Sequence, residues 1–384
     1  MISFTSAAQN ARSENETGVL EILTFRTYPG GVIAIEAKVG ENPLPLNFIL
    51  DTGSSGISLD SSTCAELKIP VKPTDTTVSG IAGVKKVAFV FDKSFRTGNL
   101  VSEHMNFYVN DYSLLSSTYG EKVDGIIGYS FLSRYIVHIN FDSALIKIYN
   151  PGVFEYEPGG TILRPAFTKL AAQTVTVSDK NKTTFKFYLD TGAGLCLLMS
   201  ESLVQDSSIL LSRRKPLLTQ AEGLGGKKSM RVTTVKRIKI GPYKFKKVPV
   251  YLYNDDLNML SYPSTGGLIG NDIMRRFNIT LNYQAGEIHI IPNGHYRDEF
   301  DYTYTGMSLY DINRKIIIDD IVADSPAEKA GLKNGDELVS VANTIFGTLQ
   351  EYKNRLQKNK SSVKIIIKRQ EKFLFIALQP LSIL

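Results

Sequence analysis

Residues 48–53 read Phe-Ile-Leu-Asp-Thr-Gly, and residues 187–192 read Phe-Tyr-Leu-Asp-Thr-Gly. The acidic residues of the two copies, Asp51 and Asp190, are 190 − 51 = 139 residues apart. A single Asp-Thr-Gly is most simply a turn at a strand end. Here each copy follows three apolar residues, so each carboxylate is predicted to lie at the mouth of a hydrophobic core. Packing does not require an ionisable group there twice, and the repeat therefore predicts a functional pair.

A second repeated motif follows each copy of the first. Residues 123–128 read Val-Asp-Gly-Ile-Ile-Gly and residues 265–270 read Thr-Gly-Gly-Leu-Ile-Gly, with their last glycines 270 − 128 = 142 residues apart. Behind each motif lie an apolar strand, a polar turn and a second strand, at 136–149 and at 277–291, which is the pattern of a β-hairpin. Two motifs in the same order at nearly the same offset indicate a duplicated lobe of about 140 residues.

The composition is that of a globular protein with ample material for hydrophobic cores. The 384 residues are 43% hydrophobic and 21% charged, and their number suggests about two or three domains. The net charge of +6 does not by itself indicate nucleic-acid binding, and no uncharged apolar run is long enough for a transmembrane helix. Two cysteines, four scattered histidines and the lack of a nucleotide-binding glycine motif predict a protein without metal or cofactor.

Most of the duplicated region is predicted to be strand, because short segments rich in β-branched and aromatic residues alternate with turn residues. One short helix is predicted at 61–67, with Ser61 or Ser62 as its N-cap and Pro70 just beyond its end. The predicted fold class is therefore mainly β, with two lobes related by a pseudo-twofold axis.

The last part of the chain has a different pattern. Residues 324–336 read Asp-Ser-Pro-Ala-Glu-Lys-Ala-Gly-Leu-Lys-Asn-Gly-Asp, in which Ser325 suits an N-cap, Pro326 the first helical position and Gly331 the helix end. A strand at 337–341, a helix at 348–358 and strands at 363–368 and 373–378 are predicted to follow. These elements predict a compact α+β module of about 85 residues.

The paired aspartates suggest a specific chemistry. If a pseudo-twofold axis relates the lobes, Asp51 and Asp190 meet at that axis, and two carboxylates about 3 Å apart share one proton instead of both ionising. The ionised partner can take a proton from a trapped water while the protonated partner donates to a carbonyl oxygen. This is general acid–base hydrolysis of an amide, with no metal, cofactor or covalent intermediate.

These residues resemble the double-lobed aspartic proteases, pepsin-like in having both lobes in one chain and similar to retroviral and bacterial proteases in lobe length. The resemblance covers residues 19–293 and implies that Asp51 and Asp190 are catalytic. It further implies supporting roles for two sets of residues that follow the aspartates, namely Thr52, Gly53 and Ser54 in the first copy and Thr191, Gly192 and Ala193 in the second. The Ser54 hydroxyl is expected to bond the outer oxygen of Asp51, whereas Ala193 offers Asp190 no equivalent.

Members of this family close the cleft with a flap hairpin. The candidate here is Gly80-Ile81-Ala82-Gly83, with an echo at 223–226, and neither contains the tyrosine that pepsins have in the flap. A plain hairpin tip is the alternative interpretation of both glycine clusters.

The run 324–336 resembles the core signature of PDZ domains, and the resemblance covers residues 297–384. It implies a loop that binds a peptide C-terminal carboxylate, here Gly306-Met307-Ser308-Leu309, with Ser308 in place of the usual glycine. The peptide groove is expected between 308–312 and the helix that starts near Leu349. A module that only packs against the protease is the alternative.

The predicted organisation is an N-terminal tail (1–18), two protease lobes (19–150 and 151–294) and a PDZ-like domain (295–384). Polypeptide substrates and peptide C-termini are the expected partners, with no nucleic acid, no membrane span and no oligomer needed to build the site. Residues 1–15 contain no signal peptide, so the residues leave two alternatives open, a cytoplasmic protein or a chain that begins after a removed leader. The resemblance favours the second, a bacterial, extracytoplasmic protein that is periplasmic or secreted.

Three functions remain open from the sequence. The first is an aspartic endopeptidase with a PDZ-like module for substrate or partner C-termini. The second is a catalytically weak or inactive peptide-binding protein, suggested by Ala193, Ser308 and the missing flap tyrosine. The third is a closed, zymogen-like state in which residues 1–19 or the PDZ-like module block the cleft.

Overall fold

A computed structural model describes residues 18–80, 83–223, 226–358 and 361–384. These residues are mainly β and form thirty strands and seven short α-helices. Two eight-stranded sheets, a six-stranded sheet and a smaller C-terminal module make up the molecule. None of the helices in the described residues has both the length and the apolar character needed to pass through a lipid bilayer.

Lobe 1 (residues 19–150) is built from eleven strands. They are β1 Val19–Thr24, β2 Arg26–Thr27, β3 Ile33–Val39, β4 Leu46–Leu50, β5 Ile57–Asp60, β6 Lys72–Gly80, β7 Gly83–Thr97, β8 Leu100–Asn110, β9 Gly125–Ile127, β10 Ile136–Asn140 and β11 Leu145–Tyr149. Its helices are α1 Ser61–Glu66, α2 Ser113–Tyr119 and α3 Tyr129–Leu132, with a 3-10 turn at Pro29–Gly31. Its main sheet has the order β2-β3-β4-β9-β5-β8-β7-β6.

Lobe 2 (residues 151–294) repeats this plan. Its strands are β12 Thr161–Leu163, β13 Ala166–Phe167, β14 Ala171–Ser178, β15 Lys182–Leu189, β16 Leu197–Ser200, β17 Leu217–Gly223, β18 Gly226–Ile240, β19 Tyr243–Tyr253, β20 Gly267–Ile269, β21 Phe277–Asn282 and β22 Glu287–Pro292, and its helices are α4 Glu201–Asp206 and α5 Asn271–Met274. The sheet order is β13-β14-β15-β20-β16-β19-β18-β17, so each strand corresponds to the lobe 1 strand eleven places earlier. Helix α2 is an exception, because the described residues of lobe 2 contain no helix between β19 and β20.

The two lobes share a six-stranded sheet with the order β1-β11-β10-β21-β22-β12. Its central strands β10 and β21 pair antiparallel, and His138 faces Thr280 across the pair. These two residues are 280 − 138 = 142 positions apart, the offset of the repeated glycine motif, so the pseudo-twofold axis passes between them. The hairpins predicted at 136–149 and 277–291 are the four inner strands of this sheet.

The C-terminal module has its own sheet and core. Its elements are β23 Thr303–Tyr304, β24 Ser308–Ile312, β25 Lys315–Asp319, β26 Asp336–Val341, β27 Thr344–Ile345, β28 Val363–Arg369, β29 Lys372–Leu378, β30 Leu381–Ser382, α6 Pro326–Lys329 and α7 Leu349–Lys358. Strand β24 is the edge of the sheet, next to β25. A separate cluster that includes Ile318, Val341 and Tyr352 is buried beneath α7.

The helix ends follow local sequence rules, with one correction. The Ser325 side chain accepts a hydrogen bond from the Glu328 N–H at the start of α6, as predicted. At α1 the N-cap is Asp60, whose carboxylate accepts from the N–H groups of Ser62 and Thr63, and neither Ser61 nor Ser62 has that role. A carboxylate is also the better partner for the positive end of a helix.

Candidate active site

Two parallel strand pairs place Asp51 and Asp190 at equivalent points of the two lobes. Strand β4 runs beside β9 and β15 runs beside β20. The Asp51 N–H donates to the Ile127 carbonyl at 2.9 Å, and the Asp190 N–H donates to the Ile269 carbonyl at 2.9 Å. The apolar-apolar-glycine motif of each lobe therefore fixes the backbone of the aspartate in the same lobe.

The threonines after the aspartates bind each other across the pseudo-twofold axis. The Thr52 hydroxyl donates to the Leu189 carbonyl at 2.8 Å and accepts from the Thr191 N–H at 3.0 Å. The Thr191 hydroxyl donates to the Leu50 carbonyl at 2.9 Å and accepts from the Thr52 N–H at 3.1 Å. Both threonines are buried, so these four reciprocal bonds lock the two aspartate loops together in a site with little competing water.

Each glycine of the repeated motif packs against the aspartate of the other lobe. A Cβ atom at Gly53 would lie 2.5 Å from Cγ of Asp190, and one at Gly192 would lie 2.4 Å from Cγ of Asp51. No side chain fits at either position, and the two aspartate side chains hydrogen-bond each other. The structure thus brings together the two aspartates that the sequence singled out.

Burial raises the pKa of Asp51 well above its ordinary value, and the charge of Asp190 and the hydrogen bond with Asp190 raise it further. Burial also raises the pKa of Asp190, although its hydrogen bonds with Asp51 and with the N–H groups of Gly192 and Ala193 oppose this shift. Two carboxyl groups this close do not both ionise, so the pair holds one proton over a range of pH in which isolated carboxylates are charged.

The residues after the glycines differ from the sequence expectation. The Ser54 hydroxyl donates to the Gly56 carbonyl at 3.1 Å and does not bond Asp51. The Ala193 backbone N–H donates to Oδ1 of Asp190 at 3.0 Å, in addition to the Gly192 N–H at 2.9 Å. Oδ1 of Asp51 accepts the Gly53 N–H at 2.7 Å, and a hydrogen bond with the Gly192 N–H also stabilises the Asp51 carboxylate. The expected bond from the Ser54 hydroxyl to Asp51 is therefore absent, and the Ala193 backbone N–H gives Asp190 a bond that the Ala193 side chain could not.

A group of tyrosines around the pair was missed in the sequence. Burial raises the pKa of Tyr112 to about 12 and also raises the pKa values of Tyr119 and Tyr283, and the Asp51 charge contributes to all three shifts. Tyr119 stacks on Tyr28 with ring centroids 4.4 Å apart. Tyr112 precedes α2 and Tyr119 is its last residue. This helix was not predicted, and the seven-residue spacing of the two tyrosines around a Ser- and Leu-containing stretch is the signal that could have revealed it.

Each lobe contributes a hairpin at the position of the predicted flap and its echo. In lobe 1, Gly80 ends β6 and Gly83 begins β7, and the two residues pair. The remaining flap candidates, Ile81 and Ala82, lie outside the described residues. In lobe 2, Gly223 and Gly226 pair in the same way between β17 and β18. Both glycine clusters therefore stand at the ends of paired strands.

The C-terminal module lies against both lobes. A cavity of about 600 Å³ is lined by Gly30 of lobe 1, by Gly194 and Leu195 of lobe 2 and by Gly306 and Ser308 of the module. The predicted carboxylate loop thus faces the segment that directly follows the second aspartate motif. Met307 and Leu309, the other loop residues, line a neighbouring cavity of about 230 Å³. Among the residues that the structure describes, no group of three or more His, Cys, Asp or Glu could hold a metal ion.

Comparison with known families agrees with this architecture. A family model described as aspartyl protease matches residues 35–131 and 174–273, more than half of the chain, and both ranges contain an aspartate of the pair. A model described as PDZ domain matches residues 317–369, which include α6 and α7 but not the predicted carboxylate loop. None of the curated proteins compared with the chain matches it.

Proposed function

Because the chain belongs to the aspartyl protease family and carries a PDZ domain, we propose that it is an aspartic endopeptidase in which Asp51 and Asp190 activate a single water. The observation that supports this most directly is the contact between two partly buried aspartate side chains, each of which packs against the glycine of the other lobe. The four Thr52–Thr191 loop contacts hold that pair without help from the substrate.

The hydrogen bonds favour a division of roles. Burial and the Asp190 charge raise the pKa of Asp51 well above its ordinary value, whereas hydrogen bonds with Asp51, Gly192 and Ala193 oppose the rise in the pKa of Asp190, so we assign the shared proton to Asp51. Asp190 takes a proton from the water while the water oxygen attacks the peptide carbonyl carbon. At the same time Asp51 donates its proton to the carbonyl oxygen. Asp190 then gives its proton to the amide nitrogen as the carbon–nitrogen bond breaks, and one hydroxyl of the tetrahedral intermediate gives its proton to Asp51. A carboxylic acid and an amine leave, and the pair again holds one proton on Asp51.

The substrate is an extended polypeptide that lies as a strand across the cleft beneath the paired hairpins. Such a backbone can bond to the cleft and to the hairpin edges without any particular side chain. The PDZ domain would bind the C-terminus of the same chain or of a partner, because its candidate loop, Gly306 to Leu309, opens onto the cavity beside the cleft.

The test is hydrolysis of an unstructured protein between pH 4 and pH 7.5. We expect Asp51→Asn and Asp190→Asn each to reduce the rate at least about a thousandfold, because each removes a group that transfers a proton in the reaction. Asp324→Asn, a change of the same chemistry at an exposed PDZ residue with positive φ, is the matched control and should leave the rate unchanged. Unaltered hydrolysis by both aspartate variants would refute the proposal.

A catalytically weak peptide-binding protein is the second candidate. The observation that favours it is the lack of a bond from the Ser54 hydroxyl to Asp51. A peptide mimic with a hydroxyl in place of the scissile carbonyl distinguishes the two functions, because it binds tightly only to a working pair. An affinity that is equal for the unaltered chain and for Asp190→Asn would support the second candidate.

A closed state is the third possibility from the sequence. Residues 1–17 lie outside the described residues, so a block by the N-terminal tail stays a prediction. The PDZ domain contacts the lobe 2 hairpin β17–β18 beside the cleft, through Tyr304 to Leu218 and Tyr310 to Glu222.

A further inference from the structure

The groove of the PDZ domain, between the edge strand β24 and helix α7, holds a segment of lobe 1. A Cβ atom at Gly120 would lie 3.1 Å from Cβ of Leu349 on α7 and 3.8 Å from Cβ of Asp311 on β24. The Lys353 ammonium, also on α7, donates to the Thr118 carbonyl at 2.6 Å. The C-terminal end of α2 therefore occupies the space between strand and helix where a peptide is expected to add.

The lobe 2 hairpin β17–β18 brings a carboxylate to the same place. The Tyr310 hydroxyl on β24 lies 2.6 Å from Oε1 of Glu222 and 2.5 Å from Oδ2 of Asp320. The Lys227 ammonium bonds Asp320 at 2.5 Å. A phenol has one proton and can donate to one of the two carboxylates at a time. The Lys227 ammonium bonds Asp320 whichever carboxylate accepts the phenol proton. Glu222 is therefore the carboxylate that its neighbours stabilise less.

Lys353 is a cation without an ion-pair partner in this groove. Within the described ranges no ion pair involves its ammonium, whose direct acceptor is the neutral Thr118 carbonyl, and Glu222 acts on it only through its charge. Loss of hydration lowers the pKa of Lys353 to about 8, against the opposing effect of the Glu222 carboxylate. A buried ammonium gains more from a carboxylate in direct contact than from a carbonyl.

The groove still has room beside these contacts. The cavity of about 230 Å³ is lined by Thr118 and Glu222 from the two lobes and by Ser308, Leu309 and Lys353 from the PDZ domain. An acidic side chain that entered it would meet the Lys353 ammonium and the Ser308 end of β24, and it would compete with Glu222 for that position.

We propose that the PDZ groove binds peptides that carry an acidic side chain close to the C-terminus, with Lys353 as the residue that selects it, and that such a peptide displaces Glu222 and the end of α2 from the groove. This inference rests on the proposed peptide binding by the PDZ domain but not on catalysis. The internal segment acts as a tethered ligand, so it lowers the apparent affinity for any added peptide.

Displacement would change the cleft as well. The PDZ contacts of the β17–β18 hairpin include Tyr310 to Glu222, Lys227 to Asp320, and the Tyr304 hydroxyl to the Leu218 carbonyl at 2.7 Å. A peptide that replaces Glu222 breaks the Tyr310–Glu222 contact. It also weakens the other two contacts, because all three form only when the hairpin is docked on the PDZ domain. The hairpin beside the cleft is then freer to open for substrate.

The binding experiment uses the full chain with Asp51→Asn, a substitution that prevents cleavage of the peptide. The probe is a fluorescent ten-residue peptide whose last three residues are all glutamate. We expect it to bind about tenfold more tightly than the same peptide with glutamine, since a charge-assisted bond to a partly buried ammonium is replaced by a neutral one. Lys353→Met should abolish this preference. Lys358→Met, an exposed lysine of the same helix, is the matched control and should preserve it.

Removal of the internal competitor should raise the affinity for the acidic peptide, whereas loss of Lys353 should lower it. Glu222→Gln removes the internal carboxylate and should strengthen binding of the acidic peptide roughly threefold or more. In hydrogen exchange, saturating acidic peptide should accelerate exchange in residues 217–223 and 226–240 while β10 and β21 stay unchanged.

Three results would overturn the inference. Equal affinity for the glutamate and glutamine peptides, independent of Lys353, would leave peptide binding intact and remove the acidic preference. Weaker binding by Glu222→Gln, or unchanged exchange in the hairpin, would show that the groove is not released. Absence of binding by both peptides would remove the proposed PDZ function as well, whereas the hydrolysis test of the aspartate pair would stand independently.

Discussion

At the scale of single residues, the site depends on small groups that hold two carboxyl groups close together. Thr52 and Thr191 each use both hydroxyl bonds across the axis, and Gly53 and Gly192 leave the space that the opposite aspartate fills. The catalytic role proposed for the aspartates is thus inseparable from four neighbours that carry no charge.

The prediction at this scale concerns the buried threonine hydroxyls. Thr52→Val keeps the shape of the side chain but removes the bond to the Leu189 carbonyl and leaves the Thr191 N–H without a partner. We expect the free energy of unfolding to fall by about 2–4 kcal/mol, because two buried polar groups lose their bonds, and the hydrolysis rate to fall with it. Urea unfolding and initial rates measure the two effects.

Thr52→Ser is the control for this change, because it keeps the hydroxyl and removes only a methyl group. It should retain most of the stability and activity. If Thr52→Val and Thr52→Ser lose equal stability, packing of the methyl group and not the reciprocal bonds holds the loops together.

At the scale of elements, the interlobe sheet fixes the relation of the two halves. His138 lies at its centre, with Nδ1 2.9 Å from the Thr280 hydroxyl and Nε2 3.9 Å from Oε1 of Glu157. Burial lowers the pKa of His138, Glu157 opposes this shift, and Lys147 and His289 add to it. The strand pairing that joins the lobes therefore contains an imidazole that is more stable in its neutral form.

This pKa shift predicts how stability depends on pH. His138 binds a proton less readily in the folded chain than in the unfolded chain, where its pKa is about 6.5. Stability from the neutral imidazole is present above pH 6.5 and is lost as the pH falls below that value. Between pH 7.5 and pH 5, we expect the free energy of unfolding of the unaltered chain to fall by on the order of 1 kcal/mol more than that of His138→Gln.

Chemical unfolding of both chains across this pH range measures the difference. Identical pH profiles would show that His138 does not contribute. Acidic pH thus has two separate effects, because protonation of the aspartate pair is favoured by its raised pKa values while the interlobe sheet loses stability.

At the scale of the whole molecule, one chain supplies both halves of the site and a PDZ domain placed against both lobes. The aspartates come from loops 139 residues apart in the same chain, and the interlobe sheet closes within that chain. We therefore expect the site to form without a second subunit.

This arrangement predicts that activity is independent of association. The specific activity should stay constant within about 20% over a hundredfold dilution in the nanomolar to micromolar range, since no dimer needs to form. Rates at each concentration, with light scattering to follow the oligomeric state, provide the measurement. A specific activity that falls on dilution in parallel with loss of a dimer would contradict the single-chain site.

The duplicated plan, the candidate aspartate pair and the α+β character of the C-terminal module could all be predicted from the order of the amino acids. These features depend on local chemistry: apolar strands that end in Asp-Thr-Gly, glycines where no side chain fits, and the Ser-Pro start of α6. Each signal is contained in a few consecutive residues, and repetition at a constant offset distinguishes it from chance.

The groups that bond Asp190, the tyrosines that surround the pair and the segments that fill the PDZ groove could not be predicted in this way, because they depend on how the chain packs in three dimensions. The Ala193 N–H reaches Asp190 because of the backbone conformation after Gly192, which residue identity does not specify. Gly120, Glu222 and Lys353 are far apart in the chain and meet only through the docking of the module on both lobes. Contacts of that kind depend on complementary surfaces of separately folded parts, so no short sequence motif predicts them.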